Sequence, residues 1–172
     1  MTPKTPKARK SLPIPIVKRQ IKGSAKARRN ASRLAAVQCL YQMRQNGMNA
    51  EQALGDYAHN RMGLEEDGNV YVAADMVLLR GILTGVEERM DLLTEMMGQA
   101  LNNDRSLASQ EQLIQCILLC GAEELFAHPE TDTALILANY VEVGKAFYEG
   151  REPGMINAAL DALAKVIRPK TE

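Results

Sequence analysis

Between Val70 and Leu101, apolar side chains recur mostly at steps of three and four residues over the whole length of the segment. This period places them on one face of an α-helix, whereas a half-buried strand would alternate. The series comprises Val70, Ala74, Val77, Leu78, Ile82, Val86, Met90, Leu93 and Met97. An unbroken helix of that length is long for a globular protein, so we expect an interruption near Gly81–Gly85 or Met90.

The rest of the chain has the same helical character. Aromatic residues are few, with two Phe, five Tyr and no Trp, and nine Met add to the apolar residues instead, a composition that favours helices over a β-sandwich. Cap, glycine and proline signals predict helices at Ser24–Gly47, Ala50–His59, Ser109–Phe126, Thr133–Tyr148 and Met155–Ile167. Loops or turns are expected at 61–69, 102–104 and 150–154, and no segment alternates as a strand does. We predict an all-α fold, with the almost wholly apolar stretch Leu113–Ala122 in its central helix.

The charges of the chain are separated along its length. Residues 1–33 carry eleven Lys or Arg and no Asp or Glu, so the remainder holds ten basic residues and all 21 acidic ones. A cationic arm on an acidic body is suited to a polyanionic partner such as RNA or DNA. Four prolines within residues 3–15 oppose a helix, so we expect a disordered basic tail at 1–23 and a folded domain at 24–169.

The first predicted helix changes from cationic to apolar along one face. Lys26, Arg29 and Arg33 continue toward the amino end the stripe formed by Leu34, Val37, Leu40 and Tyr41. We therefore expect the first two turns to overhang the body. Asn30 and Ser32 are interleaved there as neutral hydrogen-bonding groups for phosphate or base edges. No aromatic residue precedes Tyr41, which predicts weak, salt-sensitive binding by the arm alone.

The remaining reactive side chains predict no catalytic, metal or cofactor site. Cys116 and Cys120 share a helix face, but of possible partner ligands only His59 and His128 exist, in unrelated segments. We interpret them, with Cys39, as buried free thiols in a reducing compartment.

Other short patterns also have structural explanations. Gly81-x-x-x-Gly85 lies mid-helix and indicates close helix contact rather than a phosphate loop. Adjacent acids such as Glu87-Glu88 and Glu123-Glu124 do not face one another on a helix, so they are interpreted as solvated charges. We therefore expect a protein that is not an enzyme.

The expected location is the cytoplasm. No apolar run is long enough to cross a bilayer. An organellar transit peptide is the alternative for the basic amino terminus, but such peptides favour Arg and Ser on a helix, whereas Lys and Pro dominate here.

The segment Arg28–Gln42, which reads R-R-N-A-S-R-L-A-A-V-Q-C-L-Y-Q, resembles the arginine-rich first helix of the NusB transcription antitermination factors. Four further segments are similar to motifs of that family in the same order: Ile82–Val86, Glu124-Leu125, Asn157–Asp161 and Val166–Pro169. Together they cover about residues 26–169.

The resemblance implies about seven helices and a non-enzymatic role. Members of that family bind single-stranded boxA RNA together with the ribosomal protein NusE, and help RNA polymerase to keep elongating on rRNA operons. Carried over to this chain, the RNA-contacting residues are Lys22, Lys26, Arg28, Arg29 and Arg33. The partner and RNA surface adds Tyr41, Glu124, Met155 and Asn157.

The chain departs from the family pattern, and several of the departures fall on the half expected to face the partner. The departures are Leu119 in place of Arg, Glu123 in place of Tyr, Ala138-Asn139 in place of Asn-Glu, and Gly154-Met155 in place of Lys-Phe. Two alternatives stay open. One is a diverged paralogue that binds only protein, for example in ribosome assembly. The other is a module related to rRNA cytosine methyltransferases, although we expect no catalytic α/β domain within these 172 residues.

Overall fold

The structure is a computed structural model that describes residues 23–60, 65–66, 69–70, 72–101 and 107–170. Seven α-helices make up most of these residues. They are α1 (Ala25–Asn46), α2 (Ala50–Asn60), α3 (Met76–Glu88), α4 (Met90–Leu101), α5 (Gln112–Ala127), α6 (Thr133–Phe147) and α7 (Glu152–Ile167). The all-α prediction is confirmed.

A short ladder is the one extended element in the described part of the chain. Strand β1 (Glu65–Glu66) pairs antiparallel with β2 (Asn69–Val70), where the sequence indicated a loop up to Asn69 and a helix from Val70. A strand of two residues is too short to show the alternating pattern by which strands are recognised in a sequence.

Helix α5 is the centre of the bundle, as the apolar stretch Leu113–Ala122 predicted. It contacts α1, α3, α4, α6 and α7. Every residue from Cys116 to Leu125 is buried. Leu119, where the family has Arg, is a fully buried core residue.

Both ends of α1 follow from local sequence. The Ser24 hydroxyl accepts a hydrogen bond from the backbone N–H of Ala27, and Gly47 adopts the left-handed conformation with φ 64° while its N–H bonds to the Met43 carbonyl.

The second turn of α1 is docked against the body, contrary to the expectation that the first two turns overhang it. The backbone N–H of Asp75 donates to the Arg28 carbonyl at 3.2 Å, and buried Ser32 donates to the Asp75 carbonyl at 2.7 Å. The segment before α3 therefore holds the amino end of α1.

The segment expected as one long helix is divided. The Asp75 side chain caps α3 by accepting from the backbone N–H groups of Val77 and Leu78. Arg89 lies outside helical geometry and separates α3 from α4, which confirms the interruption expected near Met90. Gly81 and Gly85 lie inside α3 and do not interrupt it.

Three predicted helix starts are wrong. Helix α3 begins at Met76, after the expected Val70, which lies in β2. Ser109 ends a 3₁₀ turn, Leu107–Ser109, and α5 begins only at Gln112. Helix α7 begins at Glu152, ahead of the expected Met155, because Pro153 lacks an N–H and so fits the first turn. The predicted tail up to residue 22 and the turn at 102–104 lie outside the described residues.

Candidate nucleic-acid interface

The cations predicted to contact RNA have different environments. Lys26 and Arg29 on the first turns of α1 are exposed to solvent. Arg28 is half-buried, with Nη2 3.5 Å from the Ala74 carbonyl and Nε enclosed without a hydrogen-bond partner. Lys22 lies outside the described residues. The described part of α1 therefore offers Lys26 and Arg29 directly to a polyanion.

Arg33 lies inside the protein and pairs with Glu124. Its side chain donates from Nε to Oε2 at 2.9 Å and from Nη2 to Oε1 at 2.8 Å, a two-pronged contact between α1 and α5. The Tyr140 hydroxyl of α6 donates to the same carboxylate at 2.6 Å. Arg33 is 5% exposed and Glu124 2%. Both side chains therefore lie inside the folded chain, so the expected surface position of Glu124 is wrong and Arg33 is not exposed on the first turns of α1 as the sequence suggested.

Arg33, Tyr140 and Glu124 form one buried cluster in which two donors face one carboxylate. Burial acts to lower the pKa of Arg33, but the hydrogen bond and the negative charge of Glu124 outweigh it and raise that pKa. Burial and the nearby Glu124 charge raise the pKa of Tyr140 well above its usual value. Arg33 therefore stays charged and Tyr140 stays protonated, so both keep donating to the carboxylate.

Glu123 is also buried, so the interpretation of Glu123-Glu124 as solvated charge is wrong. Arg89, at the break between α3 and α4, donates from Nε to Glu123 Oε2 at 3.0 Å and from Nη2 to Oε1. A Cβ at Gly85 would overlap this carboxylate, so the glycine makes room for it. The Arg89 guanidinium also lies 5.5 Å from the centre of the Phe126 ring. Each of the two adjacent buried acids is thus paired with its own arginine from another part of the fold.

A groove follows the boundary between α1 and α6. Its first part is lined by Asn30, Ala31, Leu34, Asn139, Glu142, Val143 and Ala146. A second pocket farther along α1 is lined by Gln38, Tyr41, Gln42, Gln45, Asn46, Glu111, Leu113 and Phe147. We call these two pockets, as its first and second parts, the α1–α6 groove.

Two aromatic rings lie exposed in the second part of the α1–α6 groove. Tyr41 is 38% exposed and Phe147 37%. This part encloses about 420 Å³, which is enough for a small organic group such as a nucleobase. Rings for stacking beside amides for hydrogen bonding are what unstacked bases need. Sequence reasoning placed Tyr41 at a surface but missed Phe147, since nothing in the local pattern shows that the last residue of α6 faces α1.

Met155 and Asn157 belong to a different surface. Asn157 is exposed on α7, and half-buried Met155 lines a separate groove of about 460 Å³ between α4, α5 and α7. That groove is mainly apolar, with Leu101, Ile114 and Arg151 among its lining residues. The structure therefore does not join the α7 residues to Tyr41 in one site.

Cys39, Cys116 and Cys120 are buried thiols. Burial raises the pKa of Cys116 to about 11 and that of Cys120 well above its usual value. In the described ranges, no group of three or more His, Cys, Asp or Glu side chains is arranged to hold a metal ion. No described helix is long and apolar enough to cross a membrane.

Comparison with known proteins identifies the family. Residues 30–165 match the model of the NusB family. The chain belongs to the NusB family. The transcription antitermination protein NusB of Sinorhizobium fredii is 39% identical over 140 residues, which cover 81% of this chain and 88% of that protein. NusB of Brucella ovis is 43% identical over 141 residues, covering 82% of each chain.

A solved structure has the same fold. The structure of T. maritima NusB matches with a TM-score of 0.65 and covers 80% of this chain and 90% of the other, at 20% sequence identity. At that identity the likeness shows the NusB fold alone.

Proposed function

We propose that this NusB-family chain is a transcription antitermination factor that binds single-stranded boxA-type RNA together with the ribosomal protein NusE. In this role it supports transcription of rRNA operons by RNA polymerase in the cytoplasm, without enzymatic chemistry or a cofactor. Relatives named as transcription antitermination proteins match over more than four fifths of the chain. The resemblance of Arg28–Gln42 to the RNA-binding helix of the family supports the same role.

The observation that carries the proposal is the course of the α1–α6 groove. Lys26 and Arg29 are exposed at the amino end of α1, beside the first part of the groove. Tyr41 and Phe147 lie exposed in its second part. A single strand laid along α1 has its phosphates at the cations and its unstacked bases at the rings and amides.

NusE supplies the affinity that this surface lacks alone. Of the predicted cations that the structure describes, Arg33 is buried and Arg28 half-buried, so fewer positive charges reach the strand than the sequence suggested. We assign the groove beside Met155 and Asn157 to NusE, because it is mainly apolar and separate from the α1–α6 groove. RNA that contacts both proteins then binds with higher affinity, because its two contacts are linked.

A filter-binding titration tests the proposal, with boxA RNA and a scrambled RNA, each with and without NusE. We expect NusE to tighten binding of boxA RNA more than that of the scrambled RNA. Arg29→Ala is expected to weaken binding and to reduce the slope of log K against log salt by about 0.7. Arg80→Ala is the matched control, because Arg80 is exposed on α3 and pairs with Glu51. Equal affinity for both RNAs with no gain from NusE contradicts the proposal.

A protein-binding role in ribosome assembly is the second candidate. The burial of Arg33 favours it, because a cation expected at the RNA is used to hold the fold together. The combined variant Lys26→Ala/Arg29→Ala separates the two roles. In an RNA-binding factor this variant loses RNA and retains NusE, whereas a purely protein-binding paralogue shows no RNA binding even as the wild type.

A further inference from the structure

Asn30 is a neutral polar residue in a cationic segment. It is exposed on α1, follows Arg29, and lines the α1–α6 groove opposite Asn139 of α6. Its Oδ1 accepts a hydrogen bond from Arg33 Nη1 at 3.2 Å. An exposed side chain is thus tied to the buried Arg33–Glu124 pair.

That hydrogen bond fixes which way the Asn30 amide points. A guanidinium has only donors, so the amide atom facing Arg33 must be the oxygen. The amide nitrogen Nδ2 then points away from Arg33, with two N–H donors. Within the described residues, Nδ2 has no hydrogen-bond partner. Asn30 therefore presents donors from a fixed position.

Arg33 is itself held from two other helices. Glu124 of α5 accepts hydrogen bonds from Nε and Nη2 of the Arg33 guanidinium, and the Tyr140 hydroxyl of α6 donates to the same carboxylate. All three side chains are buried, so their geometry is set by packing and not by solvent. Ser32, the other neutral group interleaved in this segment, is buried. Its hydroxyl lies within hydrogen-bond distance of the carbonyls of Arg28 and Asp75.

We propose that Asn30 is a direct hydrogen-bonding contact for single-stranded RNA. Its Nδ2 donates to an acceptor on the strand, either a phosphate oxygen or a base-edge atom. Arg33 is a positioning residue, which acts on RNA only by holding the Asn30 amide. This inference rests on the proposed function and adds a residue that charge alone does not reveal.

Asn30→Asp is the first test, measured by titration of the boxA oligonucleotide in the presence of NusE. The aspartate keeps an oxygen toward Arg33 but replaces the outward donor by an acceptor. We expect the affinity to fall by roughly tenfold or more, as for loss of a hydrogen bond to a charged group. Gln99→Glu, an exposed change on α4, adds the same charge far from α1 and controls for general repulsion.

Asn30→Ala separates this contact from a charge effect. It removes the donor without adding charge, so the affinity falls while the salt slope stays at the wild-type value. Arg29→Ala, in contrast, reduces the slope by about 0.7. If Asn30→Ala lowers the affinity for boxA and scrambled RNA equally, the acceptor is a phosphate oxygen. If it lowers the affinity for boxA alone, the acceptor is a base-edge atom. Both results support the contact.

The positioning role of Arg33 is tested by a double-mutant cycle. Arg33→Lys keeps a positive charge at Glu124 but has a single nitrogen in place of the guanidinium, whose separate Nη1 reaches Asn30. We expect Arg33→Lys and Asn30→Ala to weaken RNA binding to a similar extent, and the double variant to lose no more than either. Additive losses contradict the positioning role.

The surface variants at Asn30 keep the proposal testable whatever Arg33→Lys does to folding. The inference is overturned if both Asn30 variants bind like the wild type while Arg29→Ala weakens binding. Absence of RNA binding by the wild type overturns the proposed function as well.

Discussion

Arg33 and Glu124 have opposite charges and are separated by 91 residues, yet both side chains lie in the core of the protein. In the sequence, Arg33 extends a cationic stripe and Glu124 sits beside another acid, so both look solvated. A signal was present, because Arg33 shares its helix face with Leu34 and Val37, and Glu124 follows an unbroken apolar run. What the sequence could not show is that these two charges meet, since nothing local encodes a contact between α1 and α5.

Removal of one partner from this pair is expected to destabilise the fold strongly. Glu124→Gln leaves the Arg33 charge buried without a counter-charge, which typically costs about 3–5 kcal/mol of unfolding free energy. Urea denaturation measures the difference. Glu142→Gln is the control, because Glu142 pairs with Lys145 on the surface, and we expect a change within about 0.5 kcal/mol. Similar losses in both variants would show that the buried pair has no special role.

Cys116 makes the stability depend on alkaline pH. Burial raises its pKa from 9.0 to about 11 in the folded chain, so between these values the native state holds a proton that the unfolded state has lost. The stabilisation is complete below pH 9 and is lost as the pH rises toward 11. We expect the urea midpoint to fall over this range, and to fall less steeply in Cys116→Ala. Identical pH profiles would rule out this contribution of the thiol.

At the scale of helices, the junction of α3 and α4 lies beside the buried Glu123 carboxylate, which pairs with Arg89. The sequence predicted a break near Gly81–Gly85 or Met90, and it occurs at Arg89. Only one of the two glycines makes a close contact: a Cβ at Gly85 would overlap Glu123, whereas one at Gly81 meets nothing within 4 Å. The glycine spacing predicted contact at both positions, because it could not reveal which face of α3 meets α5.

The two glycines form a matched pair for mutagenesis. Gly81→Ala is expected to raise the unfolding free energy by about 0.5–1 kcal/mol, since alanine is the better helix former and the space is open. Gly85→Ala is expected to lower it by about 3 kcal/mol or more, because the new methyl group displaces Glu123 from Arg89. Thermal or urea denaturation of both variants checks the opposite signs. A stabilising Gly85→Ala would mean that the buried pair tolerates displacement.

Both ends of α1 were predictable from local sequence, whereas the starts of α3 and α7 were not, although Asp75 and Pro153 act locally there. Ser24 and Gly47 bound α1 by their own side-chain and backbone chemistry, and both were identified from the sequence. Ser109 was not a cap, because the 3₁₀ turn places it ahead of the helix. Docking of the second turn of α1 against Asp75 was also missed, since that contact depends on the packing of α3.

For the molecule as a whole, the separation of charge along the sequence did not show which charges are buried. The all-α fold and the NusB family followed from periodicity and from the first helix. The candidate site followed only in part: Lys26, Arg29 and Tyr41 are exposed, Arg33 and Glu124 are buried, and the Phe147 ring was missed. Acidic charge inside the bundle is compensated by arginine, which a count of charges along the chain does not show.

The basic amino terminus allows a prediction from charge alone. Residues 1–22 carry seven Lys or Arg and no acid. If all seven engage phosphates, their deletion reduces the slope of log K against log salt by up to about 5. We expect weaker RNA binding with unchanged unfolding free energy. A slope equal to that of the full chain would show that the tail does not contact the strand.

Photo-crosslinking of boxA RNA to the chain in the presence of NusE, with the attached peptides identified by mass spectrometry, locates the strand directly. We expect crosslinks at Tyr41 and Phe147 and in the peptide that contains Lys26 and Arg29. Crosslinks confined to the groove beside Lys165 and Lys170, on the carboxyl-terminal side of α7, would contradict the α1–α6 groove as the RNA path.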